Sequence, residues 1–129
     1  MNANQFRFVY TAREFKRTVS FYHETLSMQL VGEWNRPDGK GALLSAGGNA
    51  VVEILGAAEG TAYDGPPPSG MFLAFEVDGV DGWFQRLVGA GVQIEVPPRD
   101  LPWGHRAFRF RDPEGVAISL FSVIRPNHS

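Results

Sequence analysis

The same order of hydrophobic patterns occurs twice along this chain, and this duplication limits the possible folds more than any other feature. Residues 8–33 are typical of an apolar strand, an amphipathic helix and a second strand, and residues 72–96 repeat that order. The apolar face of each predicted helix recurs every three or four residues. These faces consist of Phe15, Val19, Tyr22 and Leu26 in the first helix and of Val80, Phe84 and Leu87 in the second. A duplicated unit of this kind builds one site from equivalent positions of both halves.

Composition places the chain among ordinary globular proteins. Its 129 residues are 43% hydrophobic and 12% aromatic, which is enough to bury a core. The chain lacks a run of about 18 apolar residues, and its first residues lack the basic start and apolar run of a signal peptide, so we expect a cytoplasmic protein with no membrane partner. The formal net charge is -2 with acidic and basic residues interspersed, so nucleic acid is not an expected partner.

The predicted secondary structure forms two βαβββ units. In the first half we predict a strand at 6–11, a helix from Glu14 to about Ser27, and strands at 29–34, 42–45 and 50–55. In the second half we predict strands at 71–77, 92–96, 105–111 and 116–123. Asp78 and Asp81 are predicted to begin the second helix, and Gly89 and Gly91 to end it. The Pro97-Pro98 pair is predicted to break the strand that precedes it.

A small, polar and proline-rich segment at 56–70 separates the two units. We predict that it is a linker or a flap, in which Tyr63 is the one large side chain. The first module is therefore expected at 1–55 and the second at 71–129, together forming one compact domain. The expected fold class is α+β, with two βαβββ modules whose curved mixed sheets surround a cavity. The helix covers one face of each sheet, and the other face lines the cavity.

Five short phrases occur in a characteristic order. They are Phe21-Tyr22, the segment LAFEVDGVD at 73–81, the Gly89-Ala-Gly-Val that follows, Pro102-Trp-Gly and Asp112-Pro-Glu-Gly. Their order and spacing resemble the vicinal oxygen chelate superfamily, which holds glyoxalase I, bleomycin resistance proteins, fosfomycin resistance enzymes and extradiol dioxygenases. The resemblance extends from about residue 6 to residue 123. It implies the glyoxalase/bleomycin resistance-like fold.

The resemblance also implies where a metal would be held. In metal-dependent members, four ligands lie on the first, fourth, fifth and eighth strands, and these positions correspond to Arg7 (with Phe6 or Phe8 as alternatives), Glu53, Phe72 and Ser119. The duplication supports this mapping. The separation in sequence between Arg7 and Phe72 equals that between Glu53 and Ser119 to within one residue. Only Glu53 among them could bind a metal, whereas a divalent site needs about three protein ligands. We therefore expect no metal and no other cofactor.

Histidine and cysteine do not supply the missing ligands. Cysteine is absent, and neither His23 on the first helix nor His128 in the tail is spaced to join Glu53. His105 begins a strand and is interpreted as a surface or edge histidine, with ligand contact as the alternative. Glu53 interrupts an apolar strand, where an unpaired charge would be costly. Our hypothesis is an ion pair with Arg7 that is either structural or part of a ligand site.

Aromatic side chains are the other predicted ligand contacts. A small-molecule site is usually apolar with a few polar anchors, and we expect Trp34, Phe72 and Trp103 to join Arg7, Glu53 and Ser119 in contacting a ligand. On the last hairpin, either Phe108 and Phe110 or Arg109 and Arg111 face the cavity, and strand alternation alone leaves both possibilities open. Arg106, Arg109 and Arg111 either recognise an anion or form a solvated face balanced by acidic neighbours.

These observations predict a metal-free member of the superfamily that binds, and in this way sequesters, a small, partly aromatic or cationic molecule in a hydrophobic cavity. Such binding needs no catalytic residue. The first alternative is a lyase, isomerase or dioxygenase whose metal is held by other ligands, or whose general base is Glu53. The second is an interaction or immunity-type accessory protein with a vestigial pocket. The resemblance also implies a homodimer.

Overall fold

The computed structural model describes residues 1–124, and His128 lies outside them. The chain divides into two compact units, one formed by Met1–Pro68 and the other by Ser69–Ser129. Each unit contains one four-stranded sheet and one helical region. Within residues 1–124, the helices are too short or too polar to cross a membrane.

The first unit begins with the edge strand β1 (Phe6–Thr11). The helical region follows as α1 (Phe15–Ser20) and a π-helical segment (Phe21–Thr25), and then come β2 (Gln29–Arg36), β3 (Gly39–Gly47) and β4 (Ala50–Gly56). The sheet order is β1-β4-β3-β2, in which β1 is parallel to β4 and the other pairs are antiparallel. The first unit is therefore a mixed sheet in βαβββ order, as predicted.

The helix of the first unit covers one face of its sheet. Phe15 packs directly on Gly56, where an added Cβ would lie 2.9 Å from the ring. The strand residues that share this face with Gly56 are buried, as alternation along a strand requires. They include Ala42, Leu44, Val52 and Ile54. Tyr22 from the π-helical segment is also completely buried, so this face carries the hydrophobic core of the unit.

The second unit repeats this topology. It consists of β5 (Phe72–Glu76), α2 (Val80–Gly89), β6 (Ile94–Asp100), β7 (His105–Arg111) and β8 (Ala117–Val123). Its sheet order is β5-β8-β7-β6, with β5 parallel to β8. The predicted α+β fold class with two βαβββ modules is confirmed.

Packing of α2 decides which side of the last hairpin is buried. The Phe84 ring on α2 contacts the Phe108 ring edge to face at 5.6 Å between centroids. Phe108 and Phe110 are buried with Ile118 on the helix-covered face. Because side chains alternate along a strand, Arg109 and Arg111 lie on the opposite face.

Two sequence predictions about helix ends are wrong in detail. The first helix ends at Thr25 rather than Ser27, and its second half is π-helical, with the Leu26 amide donating to the Phe21 carbonyl at 3.0 Å. The second helix begins after Gly79, whose φ of 70° favours glycine, and no aspartate side chain caps it. Asp81 instead lies in the first turn, where it accepts hydrogen bonds from Arg106.

The predicted strand break at Pro97 and Pro98 is also wrong, because β6 runs through both prolines to Asp100. β6 is an edge strand, so a missing proline N–H can point away from the sheet. The pairing with β7 shifts register between Val96 and Arg99, which takes the two prolines out of the regular ladder. An edge position and a bulge together make this sequence compatible with a strand.

Candidate functional site

Each sheet has a second face that the helix of its own unit does not cover, and we refer to it as the helix-free face. In the first unit, strand register places Glu53 of β4 on this face between Val9 of β1 and Leu43 of β3. Trp34 of β2 lies on the same face opposite Gly41 of β3. These side chains are partly exposed, unlike the buried residues of the helix-covered face.

Arg7 and Glu53 form an ion pair on this face. The Arg7 Nη1 atom donates to Glu53 Oε1 at 3.0 Å, and Arg7 Nε donates to Gln5 Oε1 at 2.6 Å. The side chains are 43% and 15% exposed respectively, so the carboxylate is the more enclosed partner. Its neighbours Val9 and Leu43 are apolar, and the guanidinium therefore supplies the compensation that a partly buried charge needs.

Trp34 lies flat against the backbone of Gly41. A Cβ added to Gly41 would lie 2.1 Å from Cζ2 of the indole, so only glycine permits this close approach. Arg36 also approaches the indole, with its guanidinium carbon 5.5 Å from the ring centroid. The sheet therefore fixes Trp34 as a half-buried aromatic surface.

The helix-free face of the second unit carries the equivalent pair of positions. In the first unit, Arg7 pairs with Val51 of the adjacent parallel strand, and Glu53 lies two residues further along that strand. In the second unit, Phe72 pairs with Ala117, and Ser119 likewise lies two residues further along. Phe72 is 54% exposed, and its ring is covered from one side by Arg109, whose guanidinium carbon is 4.5 Å from the ring centroid. Ser119 is the β8 partner of Arg109.

The other two arginines of β7 are bound by carboxylates. Arg106 donates to Asp81 at 2.9 and 3.1 Å and to Asp100 at 3.0 Å. Hydrogen bonding from Arg106 holds the pKa of Asp81 below its ordinary value. Arg111 donates to Glu95, and this bond likewise lowers the pKa of Glu95. Arg106 and Arg111 therefore match the interpretation of a strand balanced by acidic neighbours. Arg109 is not bound to a carboxylate directly, and only its charge contributes to lowering the pKa of Glu95.

The remaining predicted residues are Trp103, His105 and His23, of which His105 lies on the same side of β7 as Arg109 and therefore on the second helix-free face. Trp103 lies in the loop between β6 and β7 and is 68% exposed. His105 stacks on Phe121 with ring centroids 4.5 Å apart, and the Nδ1 atom of His23 lies 2.8 Å from the Met28 carbonyl oxygen. The structure therefore joins Arg7 with Glu53, and Phe72 with Arg109, but leaves Trp103 on a loop.

The side chains at the four family metal positions do not fit a divalent metal. Arg7 is a cation, Phe72 has no donor atom, and the one carboxylate, Glu53, is bound to Arg7. No group of three or more His, Asp or Glu side chains suited to a metal ion occurs within residues 1–124. Their chemistry suits recognition of an organic molecule better than coordination of an ion.

A groove of about 430 Å³ lies elsewhere in the first unit. It runs between α1 and the loop after β4, and its walls include Phe15, Lys40 and Tyr63. Lys40 pairs there with Glu59 at 3.6 Å. Charged residues of both signs dominate its lining, in contrast to the mostly apolar composition of small-molecule sites. The helix-free faces are therefore the better candidate site.

Sequence reasoning missed Val9 and Leu43 and did not assign Arg109 to a face. Alternation from Arg7 could have placed Val9 on this face, but the segment that contains Leu43 is apolar on both sides, so alternation does not assign Leu43 to a face. Strand pairing was the missing signal, because Leu43 becomes a site residue only through its register with Glu53. For Arg109, the decisive observation is the burial of Phe108 and Phe110.

Comparison with known proteins places these observations in one family. The sequence model of the Glyoxalase/Bleomycin resistance protein/Dioxygenase superfamily matches residues 5–120. The uncharacterized protein YraH of Bacillus subtilis (strain 168) is 28% identical over 120 residues, covering 86% of this chain and 91% of YraH. These matches cover most of the chain, including both units.

Solved structures share the fold at lower identity. TnmS3, an antibiotic binding protein from Streptomyces sp. CB03234, superposes with a TM-score of 0.75 at 23% identity, over 95% of this chain and 97% of TnmS3. A mutant of glyoxalase I from Zea mays superposes with a TM-score of 0.80 at 20% identity, over 95% of this chain and 46% of the plant protein. One fold thus serves both a binding protein and an enzyme.

Proposed function

Because this chain belongs to the Glyoxalase/Bleomycin resistance protein/Dioxygenase superfamily, we propose that it binds a small, partly aromatic molecule and acts by binding rather than by catalysis. The proposed contacts lie on the helix-free faces and in the β6–β7 loop. They are Arg7, Trp34 and Glu53 in the first unit and Phe72, Trp103 and Ser119 in the second.

The chemistry at the four family metal positions carries this proposal. Where a metal-dependent relative needs ligands, this chain has an ion pair between Arg7 and Glu53 and an aromatic ring at Phe72. Apolar surface with a few fixed polar groups is the usual composition of a small-molecule site. Trp34, held flat on Gly41, adds a rigid aromatic surface that loses little conformational entropy on binding.

Comparison with TnmS3 supports the same class of function. TnmS3 is an antibiotic binding protein, and its similarity to this chain is one of fold. The fold can therefore serve binding of an organic molecule without further domains, since TnmS3 is matched over 97% of its length.

A binding screen tests the proposal. A thermal-shift screen against neutral and charged aromatic metabolites and drug-like compounds should raise the melting temperature of the full chain, because a ligand that binds only the folded state stabilises it. Trp34→Ala and Phe72→Ala should each weaken a confirmed hit by about tenfold, the loss expected from removing an aromatic contact. Trp83→Ala is the matched control, because Trp83 lies on α2. A screen without hits, or equal losses in all three variants, would contradict the proposal.

Gly41→Ala gives a second test that leaves every proposed contact residue in place. The added methyl would occupy the position of the Trp34 indole and displace it. Binding should weaken as in Trp34→Ala, with a shift of the tryptophan emission spectrum. Gly82→Ala on α2 is the control, because nothing lies within 4 Å of its added Cβ. Unchanged ligand affinity in Gly41→Ala would remove Trp34 from the site.

A catalytic role for Glu53 is the second candidate function. The observation that favours it is the 15% exposure of the Glu53 side chain, which is low for a carboxylate on an open strand face. Glu53→Gln should abolish turnover of any converted hit if Glu53 is the base, but should only weaken binding if the protein sequesters its ligand. Metal analysis of both proteins would show whether Glu53 holds an ion.

The homodimer and the cytoplasmic location stay predictions, and light scattering tests the first.

A further inference from the structure

We propose that Arg109 is an anion-recognising residue and that the ligand of this protein carries a carboxylate next to its aromatic group. This proposal rests on the proposed function and adds to it the charge of the ligand. It also identifies a specificity-determining residue outside the six contacts predicted above.

Arg109 occupies the middle of the second helix-free face. It lies on β7, an inner strand of the sheet, and is paired with Ser119 of β8 on one side and Val96 of β6 on the other. Its guanidinium carbon lies 4.5 Å from the centroid of the Phe72 ring. Phe72 is 54% exposed, so an incoming ligand can reach both the aromatic residue and the cation.

Within the described residues, Arg109 differs from its neighbours in having no carboxylate bound to it directly, although its charge adds to the lowering of the pKa of Glu95. Arg106 is bound by Asp81 and Asp100, Arg111 is bound by Glu95, and Arg7 is bound by Glu53. Across residues 1–124, Arg109 forms no ion pair, and its ring contact with Phe72 is of the cation–π type. Glu95 is hydrogen-bonded by Arg111 and reaches Arg109 only through the weaker interaction of their charges. This half-buried guanidinium is therefore less fully compensated than its neighbours, so an added anion gains more there.

The contact with Phe72 leaves the guanidinium able to bind a carboxylate, because the face of the ring takes no charge-assisted hydrogen bond from it. A guanidinium that contacts an aromatic ring through its face keeps its N–H donors in the plane, pointing outward. Two of these donors match the two oxygens of a carboxylate, and such bidentate pairs are stronger than neutral hydrogen bonds. The hydroxyl of Ser119 on the neighbouring strand can donate a further bond to the same group.

The nearest acidic residues of the face do not substitute for a ligand. Glu95 is engaged by Arg111. Glu76 lies at the far end of β5 from Phe72, opposite Phe121, and is exposed. The cation at Arg109 is therefore left for a group from outside the described chain, and an aromatic ring beside that group can contact Phe72.

Two probes of equal shape and different charge test the proposal. We would measure binding of 1-naphthoate and of neutral 1-naphthamide to the full chain by calorimetry at low and high salt. Wild type should bind naphthoate at least about tenfold more tightly than naphthamide, which is the ratio expected from one charge-assisted bidentate contact. Arg109→Gln should remove the preference by weakening naphthoate binding far more than naphthamide binding, whereas Arg109→Lys should keep part of the preference. Arg86→Gln should retain the full preference, because Arg86 stacks on Trp83 of α2.

The outcomes separate this proposal from the proposed function. Equal affinity of wild type for both probes, or an intact preference in Arg109→Gln, would overturn the anion proposal while leaving an aromatic-binding protein. Failure of naphthoate to bind at millimolar concentration would also overturn it. The proposed function would be lost through different outcomes: a wider screen that found no ligand of any charge, or equal losses in Trp34→Ala, Phe72→Ala and the Trp83→Ala control. The wild-type comparison of the two probes remains decisive even if Arg109→Gln fails to fold.

Discussion

The helix-free faces of the two units each carry an arginine, on an edge strand in the first unit and on an inner strand in the second, and they compensate its charge differently. In the first unit, Arg7 donates to Glu53 at 3.0 Å on the adjacent strand. In the second, Phe72 occupies the position equivalent to Arg7, Ser119 occupies the position equivalent to Glu53, and Arg109 stacks on Phe72. On the first face the arginine is therefore paired with a carboxylate of the same face. On the second face, within residues 1–124, Arg109 is not bound directly to a carboxylate.

This difference shows which part of a duplicated fold is constrained. Both units bury an apolar layer between sheet and helix, because each sheet must remove its hydrophobic face from water. The helix-free faces carry less of that burial and are free to change in charge and shape. Equivalent positions can thus hold a metal-ligand set in one relative and an ion pair or an aromatic ring in another.

The largest expected effect tests the similarity of the two helix-covered faces. Ile54→Ala in β4 and Leu120→Ala in β8 each remove a buried branched side chain from equivalent positions. Each should lower the free energy of unfolding by about 2–5 kcal/mol, because a cavity replaces packed methyl groups. Urea denaturation of the two variants measures this. A loss below about 1 kcal/mol in one variant alone would show that the two cores are not equivalent.

The next effect tests the difference between the two arginines. Arg7→Met should destabilise the protein by about 1–2 kcal/mol, because it leaves the enclosed carboxylate of Glu53 unpaired. Replacing both Arg7 and Glu53 by Met should recover most of that loss. Arg109→Met should cost about 0.5–1 kcal/mol, the range of a cation–π contact. Denaturant unfolding of these three variants and of Glu53→Met provides the measurement. Additive losses at Arg7 and Glu53 would show that the ion pair contributes no coupling energy.

The order of elements was predictable from the sequence because hydrophobic period and turn residues are local signals. The β1 bounds agree at both ends, and the duplication anticipated the shared sheet order. The prediction failed where tertiary position overrides local preference. Pro97 and Pro98 break a strand in isolation, but the outer edge of a sheet tolerates them. The π-helical turn of Phe21–Thr25 likewise leaves no distinctive residue pattern.

The site was predictable in residue type and only partly in arrangement. Glu53 was recognisable as a lone carboxylate in an apolar strand, and Arg7 as its hypothesised partner, because an enclosed charge requires compensation. Arg109 could not be separated from Arg106 and Arg111, since three arginines on one short strand look alike in sequence. Their partners come from α2 and β6, and only the folded register assigns Asp81, Asp100 and Glu95 to two of the three.

The smallest expected effect is on stability, depends on pH, and concerns the ion pair near the start of each helix. Asp81 in the first turn of α2 forms an ion pair with Arg106 of β7. Glu14, before α1, instead pairs with Arg17 on the same helix. Hydrogen bonding from Arg106 keeps the pKa of Asp81 in the folded state below that in the unfolded state. The pair therefore contributes its full stability above the ordinary aspartate pKa and loses it as the pH falls through the lower folded-state value.

Asp81→Asn should remove that contribution at every pH. Wild type should exceed the variant in free energy of unfolding at neutral pH by a small margin, since both groups are solvent-accessible. The margin should shrink on acidification below the ordinary aspartate range, where wild type loses the same charge. Denaturant unfolding at a series of pH values measures this, with Asp38→Asn in the β2–β3 turn of the first unit as the control. A margin that grows on acidification would reverse the sign and show that Asp81 is not stabilised as a carboxylate by Arg106.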